Sequence, residues 1–135
     1  MLSAVAEEYK IQSDLIPKIA TGFCGGMSRT DGLCGALIGG IMALGILFGR
    51  NSTGDSHYKI YALTERLIHD FENHFGSRNC SDLLGCDIST NEGDAIFKRD
   101  QLGETFCLDV TVKTTAMVLQ VLEDQDDIKH TLIKH

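Results

Sequence analysis

The spacing of apolar and polar residues predicts a chain of helices joined by short polar loops. Residues 2 to 10 have one apolar helical face, formed by Leu2, Val5, Ala6 and Tyr9. A longer amphipathic helix is predicted from about Ser56 to Phe75, with Gly76 as its C-terminal cap. Its apolar face contains Ile60, Leu63, Leu67, Ile68 and Phe71. Both segments favour an all-α fold.

Capping residues predict where other helices begin. Asp14 is a good N-cap for a helix from Leu15 to about Gly22, whose first turn tolerates Pro17. Residues 24 to 31 form a glycine-containing loop, and Asp31 is placed to cap the apolar helix that follows.

The sequence SRNCSDLLG predicts a short helix, capped by Ser77 and stopped by Gly85. Residues 89 to 103 are polar and weakly patterned, which predicts a loop with one helical turn. The charged residues 123 to 135 predict a tail, with a further short helix as an alternative.

Residues 106 to 122 fit two patterns. The alternation from Phe106 to Val112 matches a strand. Over the longer window a helical stripe fits equally well, formed by Leu108, Val112, Thr115, Leu119 and Leu122. Length favours a helix that begins near Glu104 or Thr105. The chain of 135 residues is therefore predicted to be one domain, residues 1–135, folded as a compact all-α bundle of about five to six helices.

The segment LCGALIGGIMALGILF, residues 33 to 48, is predicted to be the glycine-rich buried central helix of this bundle. It has no charged residue, but a membrane span needs about 20 residues, so a core helix is favoured and membrane insertion is not expected. The pairs Gly35/Gly39 and Gly45/Gly49 allow backbones to approach closely. That approach is expected within the chain or across a homodimer interface.

Charge and cysteine content narrow the classes of function. The formal charge is −7 and the Lys and Arg residues are scattered, which argues against direct binding to nucleic acid. The N-terminal MLSAVAEEYK has no basic start, so no export signal is predicted. Five cysteines are an odd set for a disulfide framework, which favours reduced thiols or a metal site in the cytoplasm.

Three of the cysteines, Cys34, Cys80 and Cys107, are predicted in the first turns of helices. Free backbone N–H groups there stabilise a thiolate and lower its pKa, as a sulfur-rich metal site requires. The alternative is that the cysteines are small buried hydrophobic residues. The chain has no Cys-x-x-Cys pair, so neither a zinc ribbon nor a thioredoxin-type pair is indicated.

Several motifs in order resemble one family. The sequence Cys34-Gly35-Ala36-Leu37-Ile38-Gly39 follows a glycine-rich loop and precedes HFGSRNCSDLLGCD and an isolated Cys107. This arrangement resembles the redox-active family named C_GCAxxG_C_C over almost the whole chain. The resemblance implies a small helical protein that gathers separated cysteines into one site, with Cys34, Cys80 and Cys107 as motif cysteines.

The same resemblance implies a cofactor. A related module occurs in split-Soret cytochromes, where an iron–sulfur centre is implicated. Relatives usually have another cysteine in the N-terminal helix, which this chain lacks, so Cys24 or Cys86 would complete a set of four ligands. The expected function is electron transfer to a redox partner protein, or redox sensing, through an iron–sulfur cluster or another thiolate-bound metal.

Two other functions stay open. One is metal-free thiol–disulfide chemistry, with a pair such as Cys80/Cys86 or Cys34/Cys107. The other is a non-enzymatic helical interaction module with structural cysteines. No nucleophile-elbow motif is present, so no catalytic residue or enzymatic activity is assigned. The histidines are most simply solvated surface residues: His57, His69, His74, His130 and His135.

Overall fold

The protein is a helical domain in a computed structural model that describes the backbone of residues 1–133 and the side chains of residues 1–126. Its α-helical segments are α1 (Leu2–Glu8), α2 (Cys24–Arg29), α3 (Gly35–Phe48), α4 (Tyr58–Phe75), α5 (Cys80–Leu84), α6 (Asn91–Arg99) and α7 (Leu108–Ile133). A 3₁₀ helix, Lys18–Phe23, precedes α2, and a π-helical turn, Gly103–Cys107, leads into α7. Residues 1–133 contain no β-strand, which confirms the all-α prediction, although the seven segments exceed the number expected.

The main core lies where α3 meets α1, α4 and α7. Its buried side chains are Leu2, Val5, Leu37, Ala43, Leu44, Leu63, Leu67, Phe71, Val110, Val118, Val121 and Leu122. The predicted apolar face of α4 is confirmed, because Leu63, Leu67 and Phe71 are buried. Gly76 ends this helix with a φ of 84°, the left-handed cap that its sequence predicts.

Glycines of α3 bring neighbouring segments close to its backbone. A Cβ at Gly40 would lie 3.0 Å from Leu67 Cδ2 and 3.1 Å from Val118 Cγ2, where α4 and α7 cross the helix. A Cβ at Gly39 would lie 3.1 Å from Met1 Cβ. At Gly45, by contrast, a Cβ would meet nothing within 4 Å. Close approach within the chain is therefore confined to the first half of α3.

The buried face of α7 matches the predicted stripe at Leu122 but differs from it nearer the start of the helix. Leu108 and Val112 are 59% and 60% exposed, whereas Val110 and Val118 are buried. Thr114 is also fully buried, and its hydroxyl donates to the carbonyl oxygen of Val110 at 2.7 Å. Apolar residues occupy more than one face of this helix, and contact with α3 and α4 determines which face is covered.

Three further helix predictions were wrong. The backbone after Asp14 forms turns and then the 3₁₀ helix Lys18–Phe23, not an α-helix from Leu15. The supposed loop at residues 89 to 103 contains α6, where Thr90 Oγ1 accepts from the N–H of Gly93 at 3.0 Å. The charged tail is not a separate helix, because α7 continues through Ile133; residues 134–135 lie outside the described chain.

One stretch of the described chain, Gly103–Asp126, is long and apolar enough to cross a membrane by length and composition alone. Core helices of soluble proteins pass the same test. The apolar helix α3, whose sequence also raises the question of a membrane span, has 14 residues. This is well below the roughly 20 residues that a helical span requires.

Candidate cysteine site

Four cysteines from separate segments line one cavity of about 230 Å³, here called the sulfur cavity. They are Cys24, Cys34, Cys80 and Cys107. The rest of the wall is largely apolar and includes Leu83, Phe106 and Val110. Folding therefore brings together the three motif cysteines that the sequence singles out, and adds Cys24.

Two of these cysteines are placed by a short antiparallel pairing of backbone. Leu33 and Asn79 form an isolated β-bridge. On either side of it, the N–H of Cys34 donates to Arg78 O at 2.8 Å, and the N–H of Cys80 donates to Gly32 O at 2.9 Å. The bridge thus joins the start of α3 to the start of α5 and sets Cys34 beside Cys80.

The predicted location at helix starts holds in part. Cys80 is the first residue of α5, as expected. Cys34 is the N-cap that precedes α3. Cys107, however, ends the π-helical turn that runs into α7, so it does not lie in a first turn. The helix there begins earlier than the sequence pattern indicates.

For Cys80 and Cys107 the pKa is raised, opposite to the lowering that a helix start predicts. Burial, aided by the nearby charges of Cys34, Cys107, Asp31 and Cys86, raises the pKa of Cys80 to about 11. Burial likewise raises the pKa of Cys107, followed by the effects of Cys34 and Cys86. Like charges and low polarity both disfavour a thiolate, so desolvation outweighs the helix dipole here.

Asp31 contributes to this outcome. The prediction that its carboxylate caps α3 was wrong. Instead, Oδ1 accepts a hydrogen bond from the N–H of Ser81, in the first turn of α5, at 3.0 Å. A carboxylate therefore occupies the helix terminus that would otherwise stabilise the Cys80 thiolate. Among the described residues that line the sulfur cavity, none is Lys, Arg or His.

Cys24 and Cys86 lie in different surroundings. Cys24 is exposed at the edge of the sulfur cavity, and its thiol donates to Ala20 O at 3.8 Å. Cys86 is buried with Cys80 and Ile88 in a small second core, and does not line the cavity. Of the two spare thiols, Cys24 is therefore the one that faces the same space as the motif cysteines.

All five thiols are free. Within the described side chains, no three His, Cys, Asp or Glu residues are grouped so that they could hold a metal ion. The thiols therefore surround a space rather than converge on one point.

The sequence of this chain matches one family over most of its length. The model of a family described as "Putative redox-active protein (C_GCAxxG_C_C)" matches residues 1–121. The chain belongs to the C_GCAxxG_C_C family. No curated protein and no solved structure matches the chain.

The first glycine of the C_GCAxxG_C_C motif has a structural reason in this protein. A Cβ at Gly35 would lie 2.9 Å from Phe23 O and 3.2 Å from the Cα of Cys24. Only a residue without a side chain lets the backbone around Cys24 approach the start of α3 so closely. Gly35 therefore helps to bring Cys24 to the cavity that Cys34 lines.

A left-handed turn, residues 25–29 of α2, forms part of the cavity wall. All five residues have φ between 59° and 65°, including Met27, Ser28 and Arg29. Left-handed backbone costs non-glycine residues roughly 1–2 kcal/mol each. The sequence predicts a glycine-containing loop here; the adjacent Gly25 and Gly26 were the signal for positive φ.

Proposed function

We propose that the sulfur cavity holds an iron–sulfur cluster or another thiolate-bound metal centre, for electron transfer or redox sensing. The observation that carries this proposal is that Cys24, Cys34, Cys80 and Cys107 line one cavity although they come from separate segments. Membership of a redox-active family supports it. A cytoplasmic location and a redox partner protein remain part of the same proposal.

The donor set suits such a group. Iron–sulfur clusters are held by four Cys thiolates. A single zinc ion needs each sulfur at about 2.3 Å, and hence close to the other three. The thiols here are arranged around about 230 Å³ of space and form no tight trio among the described residues. We therefore propose a centre with several metal atoms and not a single ion, because no tight trio of ligands is present among the described side chains.

The raised pKa values of the thiols also support a bound metal centre. The pKa of Cys80 is raised to about 11 and that of Cys107 is raised too, in a wall without a basic residue among the described lining. Thiols in this state are poor nucleophiles, because the thiolate is the reactive form. A cationic centre would stabilise the thiolates that the protein alone does not.

Each part of the chain has a defined role toward the centre. When bound, an iron–sulfur group supplies one-electron transfer at a potential that burial and hydrogen bonds tune. The Leu33–Asn79 bridge would hold Cys34 and Cys80 in position as ligands. Phe106 and Leu83 keep the wall apolar and limit solvent access. Cys24 closes the set from the exposed side.

Anaerobic purification with iron, sulfide and zinc analysis tests the proposal. We expect bound iron and sulfide in the native chain or after reconstitution, and loss of metal in C34S, C80S and C107S. C24S should lower metal content more than C86S, which is the matched control because Cys86 is outside the cavity. A colourless chain without metal after reconstitution would overturn the proposal.

A second candidate is metal-free thiol–disulfide chemistry. It is favoured by one observation: Cys34 and Cys107 are free thiols that line the same cavity. Alkylation followed by mass measurement under reducing and oxidising conditions separates the candidates. A reversible loss of two thiols in the metal-free chain supports disulfide chemistry. Five thiols that stay free under both conditions exclude it.

A further inference from the structure

The left-handed turn is fastened to α6 at the end opposite Cys24. Arg29, the last residue of the turn, forms an ion pair with Asp94. Its guanidinium carbon also lies over the ring of Phe97, 5.7 Å from the ring centroid. Both partners belong to α6, whereas the thiol that the turn covers belongs to α5. The turn therefore depends on contacts outside itself.

The middle of the turn covers Cys80. Gly26 is buried, and a Cβ built there would lie 2.5 Å from Cys80 Cβ and 2.8 Å from its Sγ. The exposed fraction of Cys80 is only 8%. Moving the turn away would uncover this thiol, and would also move Cys24, which directly precedes the turn.

The closed position is opposed by the backbone of the turn. Met27, Ser28 and Arg29 have positive φ, which L-residues with side chains rarely adopt. Opposing this strain are hydrogen bonds within the segment, such as Gly32 N–H to Gly26 O at 2.9 Å, and the Arg29 contacts. The Arg29–Asp94 pair is partly exposed, so it stabilises weakly and salt screens it. Losing it would shift the balance toward an open turn.

We propose that Arg29 and Asp94 form a latch that holds the left-handed turn closed over Cys80 and so controls access to the sulfur cavity. Arg29 is a positioning residue: it does not line the sulfur cavity and acts through Gly26. In the open state, a reagent or a metal ion reaches Cys80 from solvent. This inference does not depend on which centre the cavity holds.

The test uses the full-length chain, reduced and metal-free, with iodoacetamide as the probe. Alkylation of each cysteine is followed by peptide mass spectrometry at one fixed pH. In R29A we expect Cys80 to react about 3- to 10-fold faster, the change that follows from losing one weak ion pair and one cation–π contact. The rate at Cys86, packed in the second core, should not change.

K98A is the matched control. Lys98 pairs with the same Asp94 carboxylate at 2.6 Å, but it belongs to α6. Its removal should leave the Cys80 rate at the wild-type value. In wild type, raising salt from about 0.05 M to about 1 M should speed alkylation of Cys80, since the Debye length falls to about 3 Å. R29A should show no such salt effect.

The latch is overturned if Cys80 reacts equally fast in R29A and wild type. It is also overturned if Cys80 and Cys86 accelerate by the same factor, because that outcome means general loosening. Should R29A not fold, D94N replaces it; because D94N keeps the Arg29–Phe97 contact, the expected acceleration at Cys80 is smaller, about 3-fold. Hydrogen exchange of residues 24–34 gives a second readout, and faster exchange there without change in α7 supports local opening.

Discussion

Gly26 lies directly against Cys80, so that a Cβ at Gly26 would fall 2.5 Å from the Cβ of Cys80. Glycine is needed there for two reasons, the contact and the φ of 64°. We predict that G26A lowers the free energy of unfolding by about 1–3 kcal/mol. It should also expose Cys80 to alkylation. Urea unfolding and peptide mass spectrometry measure the two effects.

G25A is the control for this prediction. Gly25 has nearly the same φ, 63°, but a Cβ there would meet only Arg29 Cγ, at 3.5 Å. It therefore reproduces the backbone strain without the collision. Equal effects of G25A and G26A on Cys80 would show that the contact has no importance of its own.

The thiols should react in a defined order in the metal-free chain. Cys24 is exposed, whereas burial raises the pKa of Cys80 to about 11 and removes its thiolate at neutral pH. We expect Cys24 to react with Ellman's reagent at least about tenfold faster than Cys80. The fast phase should vanish in C24S. A fast phase that persists in C24S contradicts the placement of Cys24.

Stability should fall at alkaline pH because of Cys80. Its folded pKa, about 11, lies above the value near 8.5 expected for an unfolded chain, so the neutral thiol is the form that folding favours. This contribution is complete below about pH 8.5 and is lost as pH rises through 11, amounting to about 3 kcal/mol. Urea unfolding at pH 8 and pH 11 should show a larger loss for wild type than for C80A. Identical losses would argue against a buried, protonated Cys80.

Replacing two helical glycines by alanine should change the stability of the protein in opposite directions. At Gly45 a Cβ meets nothing within 4 Å, so G45A should stabilise the monomer by about 0.5–1 kcal/mol through helix propensity. At Gly93 a Cβ would lie 1.7 Å from Asp87 O, which is backbone, so G93A should strongly destabilise the protein. Thermal unfolding of both variants tests the pair. If G45A instead destabilises the protein in a concentration-dependent manner, Gly45 packs in a homodimer.

Periodicity predicted best the helices that have a single apolar face. In α4 the apolar residues recur on one side, and Leu67 and Phe71 are buried as expected. In α7 apolar residues lie on several sides, so the choice between Leu108 and Val110 depends on packing that no local pattern contains. The same limit applies to α6, whose stability comes from the Thr90 cap and contacts across the second core.

The sequence predicted which cysteines lie together but not the direction of their pKa shifts. The motif cysteines Cys34, Cys80 and Cys107 line one cavity, as the resemblance implied. The position of Cys24 depends on a left-handed turn, and sequence reasoning on helices assumes right-handed backbone. The pKa expectation failed because burial and Asp31 act against the helix terminus, and both come from distant parts of the chain.

The Leu33–Asn79 bridge has a consequence for how the chain tolerates change. Helices α3 and α4 lie between Leu33 and Asn79 in the sequence, so the bridge joins the two ends of this helical hairpin. The distance between the Cys34 and Cys80 sulfurs is therefore set next to the bridge, at the open end of the hairpin. Lengthening the loop between α3 and α4, around residues 50–57, leaves the bridge and the two cysteines beside it in place. The number of residues between the two cysteines can then change while the distance between their sulfurs stays constant, and a protein built this way has no need of a short Cys-x-x-Cys motif.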